Sequence, residues 1–194
     1  MPQSHGKALK PGINILALPL FLFLAACAGG PAPGADKPVL VSTSTLPAGA
    51  LAAAQGESPL GRTLQAAVNN FRASRNVGAL SADGTLQKAA AVHAADMAMR
   101  NYTGHHNPEG QGPRERVLAL NPAFTGRIAE NIQILDGATY AAMSDEELAA
   151  EMVRKWSQSP THRRNMQDAT LTRSGIGLHR QGQRTIAVQV FAGG

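Results

Sequence analysis

Cys27 is the only cysteine in the 194-residue chain, and it closes an uncharged, mostly apolar run of 14 residues at positions 13–26. Two constraints follow. No disulfide can form within one chain, so whatever folds must be held by packing and hydrogen bonding. The apolar run is short for a membrane-spanning helix but has the length of a secretory h-region, preceded by the positive charges of Lys7 and Lys10. The fold must therefore lie downstream of Cys27, and the remaining length suits a single domain.

The run ends in "LAAC", residues 24–27, which resembles the lipobox of bacterial lipoproteins. That resemblance implies diacylation of the Cys27 thiol and cleavage before it. Residues 1–26 are then a lipoprotein signal peptide, and the thiol has no catalytic role. Ala28 follows Cys27 instead of an acidic residue, which by resemblance to known sorting rules points to the periplasmic face of an outer membrane in a Gram-negative cell. The formal charge of +5 falls once Lys7 and Lys10 leave, to 16 basic against 13 acidic side chains. So mild a surplus suits loose attraction to anionic lipid or wall polymer and argues against dedicated nucleic-acid binding.

Residues 27–57 are rich in Gly, Pro, Ala, Ser and Thr without a sustained period and read as a flexible tether, with "VLVSTSTL" as a candidate brief strand. From Ser58 the pattern tightens. Ser58-Pro59 is a capping residue followed by proline at the first helical position, ahead of a stripe of Leu60, Leu64, Val68 and Phe71. "SADGTLQKAAAVHAADMAMRN" predicts a second helix whose alanines suit close packing, and "PRERVLAL" a short third. "RIAENIQIL" alternates, placing Ile128, Glu130, Ile132 and Ile134 on one face of a strand. Ser144 to Glu147 is a capping box opening a helix through Leu148, Met152 and Trp156. "SGIGLHRQGQRTIAVQVFA" reads as two strands joined at Gln181-Gly182. Helices, one early strand and a terminal hairpin predict an α+β fold with an antiparallel sheet over residues 58–194.

Glu130 shares its strand face with three isoleucines, where a carboxylate is costly without a partner. Three readings stand: a solvent-exposed face, an ion pair with Arg116 or Arg127, or a carboxylate aimed at a site. "YTGHHNPEGQGPRER" is a loop presenting His105 and His106, whose side chains point apart in extended chain. In "SPTHRRN", Ser159 caps and Pro160 opens a short turn, which puts His162 in a first helical turn that disfavours imidazolium. His93, among Leu86, Ala90 and Met97, reads as a hydrogen-bonded core histidine, Trp156 as core, and Arg163 and Arg164 as a solvated edge. His179 reads as surface.

"FRASRNVGAL", "HAADMAMR", "HHNPEG", "AENI", "KWSQSPTHRRNM", "SGIG" and "VQVFA" occur in this order with a spacing that resembles the CAP superfamily. This is the group of cysteine-rich secretory, antigen 5 and pathogenesis-related 1 proteins, and the likeness is greatest to its bacterial SCP-like branch. It covers about residues 60–192. The resemblance implies a three-layer α-β-α sandwich with a central antiparallel sheet and a cleft into which histidines and acidic residues project. It selects His105 (with His106 as fallback), Glu130 with Asn131, and His162. The further glutamate of eukaryotic members falls at Ser159, and their cysteines are absent.

Three functions compete. In the first, a membrane-anchored, extracytoplasmic module binds a small hydrophobic or cell-envelope ligand in a cleft lined by His105, Glu130, Asn131, Ser159 and His162. There His105, His162 and Glu130 are a donor set able to hold a divalent cation such as Zn²⁺. In the second, Glu130, His162 or His105 acts in a metal-assisted or general-base hydrolase on envelope substrates. The chain lacks H-E-x-x-H, G-x-S-x-G and a usable cysteine nucleophile, and binding is favoured over catalysis. The third is a structural envelope protein that binds a protein partner. A monomer is expected throughout.

Overall fold

The computed structural model describes residues 46–54 and 57–194. Cys27, the signal segment and the candidate strand at residues 39–46 lie outside the described residues, apart from Leu46. A four-stranded sheet organises the domain, with strands β1 (Ser81–Ala82), β2 (Arg127–Asp136), β3 (Leu171–Gln181) and β4 (Arg184–Gly193) in the order β1-β3-β4-β2. The pairs β2/β4 and β3/β4 are antiparallel, while the two-residue β1 adds to β3 in parallel. The hairpin turns through Gly182 and Gln183, with Gly182 at φ 59°, a conformation that costs glycine nothing.

β4 is the central strand, and both its faces are covered. Ala187 and Phe191 pack with α2 (Pro59–Ala73), α6 (Asp145–Gln158) and α7 (Pro160–Gln167) in a cluster that contains Leu64, Val68, Leu148, Met152 and Trp156. Ile186, Val188, Val190 and Ala192 pack on the opposite face with α3 (Gly84–Arg100) and α4 (Pro113–Leu120). The short α5 (Ala138–Ala141) follows β2. The result is the expected three-layer sandwich. Burying one leucine-sized side chain contributes roughly 1.5–3 kcal/mol, and two such clusters replace the cross-links that one cysteine cannot supply.

The helix starts form as their sequences direct. Ser58 Oγ accepts from the Gly61 amide at 3.0 Å, Asp83 Oδ1 accepts from Thr85 and Leu86, and Ser144 and Glu147 close a reciprocal capping box. Two expectations need correcting. The tether reading of residues 27–57 does not extend to positions 46–54. There Ala50 of α1 (Ala48–Ala53) and Leu46, which leads into it, pack on Val92 and Ala95 of α3, because an alanine-rich helix can seat closely on alanines. Ser159 stands between α6 and α7, but its side chain accepts no capping hydrogen bond. Proline's preset φ and the Ser159 carbonyl, which accepts from the Arg163 amide at 2.9 Å, restart the helix instead.

Candidate functional site

Glu130 and Asn131 are successive residues of β2, an edge strand, so their side chains leave on opposite faces of the sheet. Each fixes one histidine-bearing segment. Glu130 points to the α3/α4 side with its side chain 1% exposed. Its Oε1 lies 2.9 Å from His105 Nδ1, and its Oε2 accepts from an Arg116 amino group at 2.6 Å. Asn131, fully buried, donates to the His162 carbonyl at 3.1 Å and accepts from Asn165 Nδ2 at 2.9 Å. Asn165 also donates to the Glu130 carbonyl at 3.2 Å, which locks α7 onto the strand.

The loop that presents His105 is held from behind. Buried His93 Nε2 contacts the Gly104 carbonyl at 2.8 Å, and Arg116 donates to the carbonyls of His105 and Gln111 at 3.0 and 2.9 Å. Asn107 and Gln111 exchange three hydrogen bonds across the loop. Arg100 of α3 grips Glu109 and also pairs with buried Asp96, which in turn accepts from the Tyr102 hydroxyl. His106 turns away, its ring lying over Gly112, so His105 is the histidine that meets Glu130.

The protonation states follow from these contacts. Burial raises the Glu130 carboxyl pKa, but the His105 hydrogen bond and the Arg116 charge outweigh it and the net shift is downward. An ionised carboxylate only accepts, so His105 Nδ1 carries the hydrogen and, in the neutral ring, Nε2 is left as the acceptor. His105 is half exposed, at 49% for the side chain. His162 is half-buried and its pKa is lowered, first by burial and then by the charge of His105. The two imidazoles are thus near enough to feel one another. Three surface hollows of about 180, 190 and 330 Å³ lie elsewhere, along α2, α3 and β3 and on α7, and none is lined by His105, Glu130 or His162.

The expected three-donor metal set is not assembled. Among the described residues no three His, Cys, Asp or Glu side chains are grouped to hold an ion. Each Glu130 oxygen already accepts a hydrogen bond, one from His105 and one from Arg116, and the side chain is only 1% exposed, so of the three expected donors the two imidazoles are the ones that offer free nitrogens. Asn131 is likewise corrected from a ligand contact to an internal tie, since its amide is buried and bonded on both sides. Arg116, one of two partners considered for Glu130, is the one used; Arg127 pairs with Asp168 instead. Asn165, Asn107 and Gln111 were not legible as site residues, because their roles depend on elements that meet only in the folded chain.

Residues 65–191 match the family model for the cysteine-rich secretory protein family, CAP. The chain belongs to this family. A Bacillus subtilis relative, the uncharacterized protein YkwD, is 26% identical over 125 residues, which are 64% of this chain and 44% of that one. The chain thus spans less than half of that relative's length. Among solved structures, an outer surface protein of Borrelia burgdorferi superposes with a TM-score of 0.60 at 18% identity, over 72% of this chain and 98% of that one. An extracellular protein containing an SCP domain, from Bacillus anthracis, gives 0.54 at 24% identity, over 71% and 41%. Both likenesses are to the CAP fold.

Buried His93 of α3, which backs the loop, is expected to make this CAP domain acid-sensitive. Burial, with a smaller contribution from Arg116, lowers the His93 pKa from 6.5 to about 4. Between these values the unfolded chain binds a proton that the folded chain refuses, so stability rises with pH across that window and is lost on acidification from 6.5 to about 4. The loss expected from His93 is about 3 kcal/mol. Urea midpoints at pH 7 and pH 4.5 for wild type and His93→Gln measure it, and an equal acid shift in both proteins would contradict the assignment.

Proposed function

We propose that this CAP domain is an extracytoplasmic binding module, anchored to the cell envelope through lipidated Cys27, that holds a small envelope ligand over the His105–His162 pair. One observation carries the reading. A fully buried carboxylate holds the half-exposed His105 ring by Nδ1, which leaves Nε2 free, and the charge of His105 reaches the half-buried His162, whose pKa burial already lowers. Two imidazoles at a half-open surface suit a ligand's polar group as hydrogen-bonding partners. Export fits the extracellular SCP-domain protein of Bacillus anthracis, and the mild positive charge fits an anionic envelope. If the site takes up Zn²⁺, His105 and His162 would hold it, and the ion would supply Lewis-acid polarisation.

A second reading, hydrolysis of an envelope substrate, draws on the same His105–Glu130 pair, since a carboxylate-backed imidazole is a competent general base. Among the described residues no nucleophile is hydrogen-bonded to the ring: Ser157 Oγ donates to the Arg154 carbonyl at 2.7 Å, and Ser159 stands where eukaryotic relatives carry a further acid. The two readings separate in one experiment. The full chain in detergent is mixed with muropeptides and with phospholipid, and both bound and cleaved material are measured by mass spectrometry. Binding is expected to weaken roughly tenfold or more in His105→Ala and His162→Ala, about 1.4 kcal/mol or more, with substrate intact. Retention equal to wild type in both variants refutes the binding reading. Turnover that disappears in folded Glu130→Gln establishes hydrolysis.

A further inference from the structure

Glu130 is a buried anion whose neutralisation is already complete. Arg116, only 2% exposed, reaches it with one amino group at 2.6 Å, and with the other it bridges the carbonyls of His105 and Gln111. The remaining carboxylate oxygen receives His105 Nδ1. A divalent ion approaching Glu130 would have to displace a charge-assisted hydrogen bond and then sit beside a guanidinium in a poorly solvated setting, where like charges repel strongly.

We propose that Arg116 is a built-in counter-cation: it occupies the place at Glu130 that a metal ion would take, and so keeps the carboxylate out of any coordination sphere. One side chain thereby sets two properties of the site. It fixes the His105 loop by its backbone, and it makes the site an imidazole pair with low affinity for divalent metal. Arg116 is a positioning and specificity-determining residue; it touches no ligand. The inference takes from the proposed function only the location of the site. Its test reads metal affinity alone, so a failure to find an envelope ligand leaves it standing, and a failure here leaves ligand binding open.

Zinc chloride is titrated calorimetrically into the full chain in detergent, with folding checked by circular dichroism. Arg116→Met keeps the unbranched stem of the side chain while removing the guanidinium, which frees a Glu130 oxygen and takes away the repelling charge. Zinc affinity is expected to rise at least ~10-fold as the third donor becomes available. Arg116→Lys, which keeps the charge, should stay within ~3-fold of wild type, and Arg116→Met combined with Glu130→Gln should lose the gain. A folded Arg116→Met protein that binds zinc like wild type overturns the proposal. Should that variant fail to fold, the wild-type protein still decides. The ¹³C resonance of the Glu130 carboxylate is expected to stay in place through the zinc titration, and a carboxylate that shifts in step with bound zinc overturns it.

Discussion

Gly177→Ala is expected to destabilise the domain by about 3 kcal/mol or more, at the upper end of overpacking costs. A Cβ at this position would lie 2.0 Å from the Ala91 amide nitrogen and 2.1 Å from the Ala90 carbonyl carbon, and one at Gly175 would lie 1.9 Å from the Gln87 nitrogen. These neighbours are the backbone of α3, which cannot change rotamer. The whole helix must retreat, and its retreat opens the cluster in which Leu86, Ala90 and Ala94 meet Val188 and Val190. At 2–4 °C per kcal/mol for a domain of this size, the melting temperature should fall by roughly 10 °C. Gly84→Ala is the control: a Cβ there meets nothing within 4 Å, and alanine suits a first helical turn. Melting of Gly177→Ala within about 2 °C of wild type would show that α3 does not rest on the strand as described.

Arg72→Met should cost about 4 kcal/mol, because it strands several buried carbonyls at once. Arg72 is 1% exposed and has no carboxylate in contact among the described residues. Its guanidinium is solvated by backbone, with Nε donating to Gly78 at 2.6 Å and the amino groups to Met166, Asp168 and Leu171 at 2.9, 3.1 and 2.9 Å. The last three carbonyls close α7 and open β3, so one α2 side chain ties the end of the His162 helix to the sheet. The cation also complements the negative end of the α7 dipole. Urea unfolding measures the loss, and Arg72→Lys, which keeps the charge but reaches fewer acceptors, should fall between the two. A midpoint for Arg72→Met near that of wild type would remove Arg72 from the anchoring of α7. The imidazole pair should loosen with the helix, seen as lost dispersion of the His162 ring resonances.

Local chemistry made much of the fold legible. Ser58-Pro59, the Ser144–Glu147 box and the alternation through residues 128–134 each encode their element by contacts within one turn or one pleat, and the elements appear where those signals stand. The face shared by Glu130 and the isoleucines follows from the two-residue period alone. The site was legible in part, since His105, Glu130 and His162 were named through family resemblance. Whether Glu130 was exposed, paired or aimed at a site stayed open, because its partners lie 14 and 25 residues away.

Sequence alone carried the lack of internal disulfides, the long helices, β2 and the terminal hairpin, and the residues from which a site would be built, while α1, β1 and α5 went unread. Only the tertiary structure decided that His105 and not His106 turns inward, that Arg116 and not Arg127 neutralises Glu130, and that Asn131 is spent on holding α7. Periodicity along a chain specifies which face a side chain leaves from. The partner across that face, and so the charge state and freedom of each group, is set by the packing of segments distant in sequence.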